Sequence, residues 1–372
     1  MVNIRALTLL IILGIVTFSS ITGAQIPNDS SAGCVKYTLV LYNNMLLPGN
    51  AVIKSNQTVP EGMAYDPQNG YIYVASCTTP GYVYVINSQN NEVVTKIRVG
   101  DEPYGVVYDP QNGYIYVTNA VSNTVSVIDP STNKVIATIR DLGVEPVGIT
   151  YDPLNGYIYV ADFNSSSVSV INPSTNKVIA NITVGPEPTC ITYDPQNGYI
   201  YVTKANCIVI IDPYTNTTVG YVSTLLGYAS ISYIKGYLYV AVSNPGNAVL
   251  VINASTNKII ATINRLVNCP TSVAYDPQNG YLYIANYNSN FLLVINPSTD
   301  QIIDSIPVGT GSSFILYDPS NGYLYVTHPN SGTISIISTS TDCPVVIPTI
   351  YLVLIVAEAI VAVIAVALSR RF

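Results

Sequence analysis

Three glutamates hold the same place in consecutive stretches of this chain. Glu102, Glu145 and Glu187 each precede a proline and stand six residues ahead of a tyrosine that opens a recurrent motif. Carboxylates are hard oxygen donors, and three that converge would hold calcium; the competing reading is solvated loop charge. No other cofactor is expected. Imidazole chemistry has a single candidate, His328, followed by Pro329. One imidazole completes neither a metal ligand set nor a Ser-His-Asp relay, so His328 reads as a surface residue rather than a catalyst. There is no tryptophan, and the six cysteines form no CxxC pair, which argues against zinc. Fourteen basic against twenty-one acidic residues offer no stripe to neutralise phosphates, so nucleic acid is not an expected partner.

The motif itself positions these residues. Tyr-Asp-Pro-Gln-Asn-Gly-Tyr-Ile-Tyr-Val, first met at Tyr65–Val74, recurs with small changes from Tyr108, Tyr151, Tyr193, Tyr275 and Tyr317. A degenerate copy opens at Tyr233, where Ile234-Lys235-Gly236 replaces the longer turn. The opening tyrosines lie 43, 43, 42, 40, 42 and 42 residues apart, which makes seven copies. In one copy Val106-Val107-Tyr108 reads as a strand, Asp109–Gly113 as a turn and Tyr114–Val117 as the next strand. Asp accepts bonds from the following backbone, Pro presets φ, and Gly accepts the left-handed region. Thr124–Ile128 supplies a third strand, Asp129–Asn133 a second turn and Lys134–Ile139 a fourth strand. Four antiparallel strands repeated about every 42 residues are the period of a propeller blade. The expected fold is therefore an all-β, seven-bladed β-propeller over residues 50–342.

Closing the ring needs an outer strand for the last blade from the N-terminal side, expected at Ala51–Val59. Segment 25–49 holds a further strand-like run, Tyr37–Tyr42, whose pairing stays open. Cys34 and Cys343 flank the seam, and a disulfide between them would close a very long loop.

Both ends are apolar. Residues 1–24 carry Arg5, an apolar run from Ala6 to Phe18 and small residues before Ala24, the pattern of a signal peptide. Val345–Leu368 is long enough to cross a bilayer as one helix, and Arg370 and Arg371 in the tail 369–372 would hold that end in the cytoplasm. The propeller is then extracellular on a single-pass anchor. Glu358, near the middle of that span, must be neutral or paired, for instance with a partner helix. Six sequons, at Asn28, Asn56, Asn164, Asn181, Asn216 and Asn253, are candidates for glycosylation. With charged residues at only 9% of the chain, stability is expected to depend weakly on pH.

Tyr116-Val117-Thr118-Asn119, with Tyr-Val or Tyr-Ile followed by Ala or Thr in the other copies, resembles the YVTN family of β-propeller repeats found in archaeal surface-layer proteins and related exported proteins. The resemblance implies a cell-surface interaction module. In propeller topology the fourth position of the signature marks a loop face, and it reads Ser76, Asn119, Asp162, Lys204, Val242, Asn286 and His328. These are either a shaped binding surface or drift at exposed positions. The expected function is non-enzymatic interaction or adhesion, with a protein or glycan partner and the membrane through the C-terminal helix. The alternatives are an exported lactonase- or lyase-like enzyme with a site at the central channel, and a subunit of a membrane complex.

Overall fold

The computed structural model describes residues 34–40, 58–224, 229–243 and 246–339. Among them run twenty-eight strands, numbered β1 to β28 in chain order and gathered into seven four-stranded antiparallel sheets. Six sheets take four consecutive strands, as blade 1 does with β2 (Pro60–Asp66), β3 (Tyr71–Ser76), β4 (Tyr82–Asn87) and β5 (Glu92–Arg98). The architecture is the expected seven-bladed propeller.

Blade 7 is built from both ends of the ring. Its inner strands are β26 (Ile315–Asp318), β27 (Tyr323–His328) and β28 (Thr333–Ser338), and its outermost is β1 (Cys34–Val40), paired antiparallel with β28 from Cys34 opposite Ser338 to Val40 opposite Thr333. The closing strand is thus 34–40 and not Ala51–Val59. Val59 already belongs to blade 1, where its carbonyl accepts from Cys77 N at 2.8 Å. A strand running directly into β2 has no spare residues to cross a blade about three strand spacings wide, roughly 14 Å.

The turn between the first two strands of a blade works as its residue types require. Asp66 Oδ1 accepts from Gln68 N at 2.8 Å, Asn69 Oδ1 accepts from Tyr71 N at 2.8 Å, and Gly70 takes φ 73°. The same asparagine then donates from Nδ2 to the second tyrosine of the following strand, Tyr73, at 3.1 Å. Equivalent bonds join Asn112 to Tyr116, Asn155 to Tyr159, Asn197 to Tyr201 and Asn279 to Tyr283, each at 2.8 Å, and Asn321 to Tyr325 at 3.2 Å. These tyrosines are fully buried.

The hydroxyls of Tyr73, Tyr159, Tyr201 and Tyr325 also reach the next blade. Tyr201 donates to Asn257 Oδ1 at 3.0 Å, and Tyr325 of blade 7 to Asn91 Oδ1 of blade 1 at 2.7 Å, across the closure. Asn257 and Asn91 sit at positive φ in the last turn of their blades, which aims their side chains at the neighbour. Blade 5 lacks the turn asparagine, and Tyr239 there is buried with no such bond.

The signal-peptide segment 1–24, Asn28, Asn56, Cys343, the span 345–368 with Glu358, and the tail 369–372 lie outside the described residues. Among the described residues no helix is long and apolar enough to cross a membrane.

The latch predicts a contrast between two conservative variants. Tyr201→Phe should destabilise by about 1–2 kcal/mol in urea unfolding, because it strands buried partners. Tyr239→Phe should cost less than about 0.5 kcal/mol.

Candidate functional site

The first strand of every blade faces the ring axis: β2, β6 (Pro103–Asp109), β10 (Pro146–Asp152), β14 (Ile191–Tyr193), β18 (Ala229–Ile234), β22 (Pro270–Tyr275) and β26. They enclose a cavity of about 930 Å³. Its wall has two halves. Gly62, Gly105 and Gly148 occupy one position in blades 1 to 3, and a Cβ on Gly105 or Gly148 would lie 2.5 Å from the carbonyl oxygen of Val147 or Thr189 on the next inner strand. Glycine is therefore required for the inner strands to touch there. The same position in blades 4 to 7 reads Cys190, Ser230, Ser272 and Phe314. Serine and threonine hydroxyls join that half of the wall, Thr271 donating to Ser312 O at 2.9 Å and Ser232 to Val273 O at 3.0 Å.

One residue before those glycines stands the group with most chemical potential. Glu61 projects into the cavity between Ser313 of blade 7 and Tyr104 of blade 2, which hold the equivalent position in their blades. Ser313 Oγ donates to Glu61 Oε2 at 2.6 Å. Among the described residues no cation pairs with this carboxylate, and burial pushes its pKa up to about 7, with the Ser313 bond drawing it the other way. Tyr104 is 42% exposed, its ring standing in the channel, and its phenol is pushed above the ordinary range by the surrounding wall and then by Glu61. Cys77, a free thiol beyond β3, is pushed up to about 12 by burial and then by Glu61. A thiol so shifted is no nucleophile at neutral pH. The sequence reading missed Glu61, because Val59-Pro60-Glu61 displaces the acid by two places from Glu-Pro in the next three copies. The polar run Ser312-Ser313, where five of the other six copies have proline, was the available signal for its partner.

The fourth positions of the signature lie elsewhere than expected. Ser76, Asn119, Asp162, Val242, Asn286 and His328 are all buried at the ends of second strands, and Lys204 is half-buried. Asn119, Asp162 and His328 point beneath the loop entering their own blade. A Cβ on Gly100, Gly143 or Gly309 would fall against Asn119, Asp162 or His328. Strand three answers their polarity: Asn119 Nδ2 donates to Ser126 Oγ at 3.0 Å, Ser169 Oγ donates to Asp162 Oδ2 at 2.6 Å, and His328 Nε2 lies 2.9 Å from Ser335 Oγ. Where the position is Val242, the strand-three residue is Leu250. In these four blades the variation is matched by internal packing, whereas Ser76, Lys204 and Asn286 meet Tyr84, Val209 and Leu293 on strand three. His328 is accordingly interior and not a surface residue.

Glu102, Glu145 and Glu187 share positive φ, at 52°, 60° and 57°. This bends the entry loop so that Glu102 O accepts from Ala120 N, and Glu145 O from Phe163 N, both at 2.9 Å. The Glu145 carboxylate lines the cavity and accepts from Asn164 Nδ2. Among the described residues no three His, Cys, Asp or Glu side chains come close enough to hold a metal ion. Of the described sequons, Asn164 and Asn181 are exposed, while Asn216 and Asn253 are half-buried, Asn253 Oδ1 accepting from Thr256 N at 3.0 Å.

Three buried groups make stability depend on pH where weak dependence was expected. Glu61 at about 7, and Asp162 raised by burial to about 6, bind their protons more tightly in the fold than in the unfolded chain. Stability therefore falls as pH rises through those values. His328, held down to about 4 by burial, has the opposite sign: acidification below 6.5 protonates the unfolded chain first and costs stability. In urea unfolding, Glu61→Gln should stabilise by about 2–3 kcal/mol at pH 8 and change little at pH 4.5. His328→Asn should gain about 2 kcal/mol at pH 4 relative to its effect at pH 8.

Residues 78–206, about a third of the chain, match the family model for the SMP-30/Gluconolactonase/LRE-like region. The structure is similar to Kuenenia stuttgartiensis hydrazine synthase, with a TM-score of 0.67 and 19% sequence identity over 80% of this chain and 100% of that one. At this identity the likeness shows the fold alone. No curated protein matches the chain. The match names the SMP-30/gluconolactonase-like family, not the YVTN repeats.

Proposed function

We propose that this protein is a non-catalytic binding propeller presented at the cell surface, anchored through segment 345–368, whose recognition site is the Glu61 end of the central channel. The observation that carries the reading is the cavity of about 930 Å³, in which the Glu61 carboxylate and the exposed Tyr104 ring stand together at one end, while the other charged residues of its lining are Glu145 and Lys235. A preformed concave site with few polar groups is the usual form of a small-molecule site. The chemistry supports binding over turnover, because no second acid, base or nucleophile among the described channel residues stands within hydrogen-bond reach of Glu61 apart from Ser313. Ser313 lies against a carboxylate that can act as its base, but among the described residues no hydrogen bond from a third side chain orients that pair.

A second reading, hydrolysis of a lactone, is favoured by the gluconolactonase-like match and by the Glu61 carboxyl titrating near neutrality, where a general base works best.

Thermal-shift titration against sugars, amino acids, amines and lactones should find at least one class that raises the melting temperature saturably. That shift should be lost in Val147→Trp, which fills the channel from blade 3. Turnover of lactones or esters, with or without divalent metal, that disappears in Glu61→Gln would replace binding with hydrolysis.

A further inference from the structure

Three consecutive positions around the channel mouth read Ser313, Glu61 and Tyr104, each four residues ahead of the tyrosine that opens its blade's motif. Close packing of the inner strands fixes their spacing, since Gly62 lets β2 press against the backbone of Tyr104. The carboxylate therefore lies between a hydroxyl that already serves one of its oxygens and a ring that turns its surface to the cavity. The positions opposite are Val147, Thr189 and Thr271, which carry no charge.

Among the described residues that line the cavity, the only basic one is Lys235. It follows the last residue of β18, whereas Glu61 opens β2, so the two stand at opposite ends of the channel. Lys235 Nζ is held there by the Tyr275 hydroxyl, its ammonium also lying 4.5 Å from the centre of that ring. Glu61 thus has no internal counter-charge to call on. An anion entering this end would meet the bare carboxylate. A neutral guest would leave it desolvated and uncompensated. A cation would restore the charge balance and gain the face of the aromatic ring.

We infer that the Glu61 end of the channel binds an organic ammonium ion, its charge against the Glu61 carboxylate and its alkyl groups or N–H bonds against the Tyr104 ring. The inference rests on the proposed channel site and names the chemical class it takes. Lys235 and Tyr275 at the other end repeat the arrangement with a cation the protein supplies itself. Binding couples to pH because the guest needs Glu61 ionised. The titratable groups facing Glu61 are Tyr104 on β6 and Cys77 beyond β3, with Glu102 beside Cys77, and Glu145 shares the cavity. Tyr104 and Cys77 stay neutral across pH 5–8, so the pH response belongs to the carboxylates.

The test is calorimetric titration of the full chain with choline, and with 3,3-dimethyl-1-butanol as its uncharged isostere, at pH 5, 6 and 8. Choline should bind at pH 8, weaken about tenfold per unit below pH 7, and release protons at pH 6, read from two buffers of different ionisation enthalpy. The isostere should bind at least about tenfold more weakly than choline, a difference of ~1.4 kcal/mol. Glu61→Gln should abolish choline binding and Tyr104→Leu weaken it severalfold, with circular dichroism checking that both variants fold. If the isostere equals choline, or Glu61→Gln binds choline unchanged, the ammonium inference is wrong. If choline fails while another compound binds and is blocked by Val147→Trp, the inference falls and the channel site stands; if nothing is blocked by Val147→Trp, both fall. The pH series on the unmodified chain decides the matter even if a variant does not fold.

Discussion

A phenol buried between two blades loses its water, and in this fold it recovers hydrogen bonds from both sides. Asn197 donates to the Tyr201 hydroxyl from within blade 4, and that hydroxyl donates onward to Asn257 of blade 5. The donor side fixes the turn that precedes the strand, and the acceptor side fixes how far the next blade is rotated. An unsatisfied buried hydroxyl would cost on the order of 1–3 kcal/mol, so the two demands must be met together. The Tyr325 bond to Asn91 extends the same device across the point where the chain's ends meet. Ring geometry thus depends on a polar contact buried in apolar interfaces, with Ile and Val supplying area and tyrosine supplying registration.

The closed ring makes the channel, and local differences among inner strands give it sides. Glycine in blades 1 to 3 lets neighbouring backbones touch, while serine, cysteine and phenylalanine in blades 4 to 7 hold them apart or bridge them. Glu61 stands at the boundary of the two halves, where blade 7 meets blade 1, and its bond from Ser313 ties residues 252 positions apart. The same seam carries closure by β1 on the outer rim. A chain that fails to close leaves Glu61 without its partner, so the site exists only in the finished ring.

Charge is scarce, and the consequence differs from what scarcity alone suggests. Few ionisable groups do not mean weak pH dependence when several are buried, because burial moves their protonation equilibria into the accessible range. Glu61 and Asp162 move upward and His328 downward, and their effects on stability oppose one another on acidification. Exposed charges such as the Arg98–Asp101 pair, 3.2 Å apart, contribute little by comparison.

Blade number, strand order within a blade and turn chemistry were all legible in the linear sequence, since Asp-Pro-Gln-Asn-Gly acts through bonds to residues two to four places away. The burial of Asn119, Asp162 and His328 was legible in principle, because a serine at the matching place of strand three accompanies each. That signal spans two strands and was outweighed by variation that looked like exposure. What only the tertiary structure decided involves residues brought together by closure. Choosing 34–40 over Ala51–Val59 as the sealing strand depends on the width of a blade, which no local pattern encodes. Glu61, Tyr104 and Ser313 share a site because the ring turns through a full circle, and in the sequence they are separated by loop lengths that carry no sign of it.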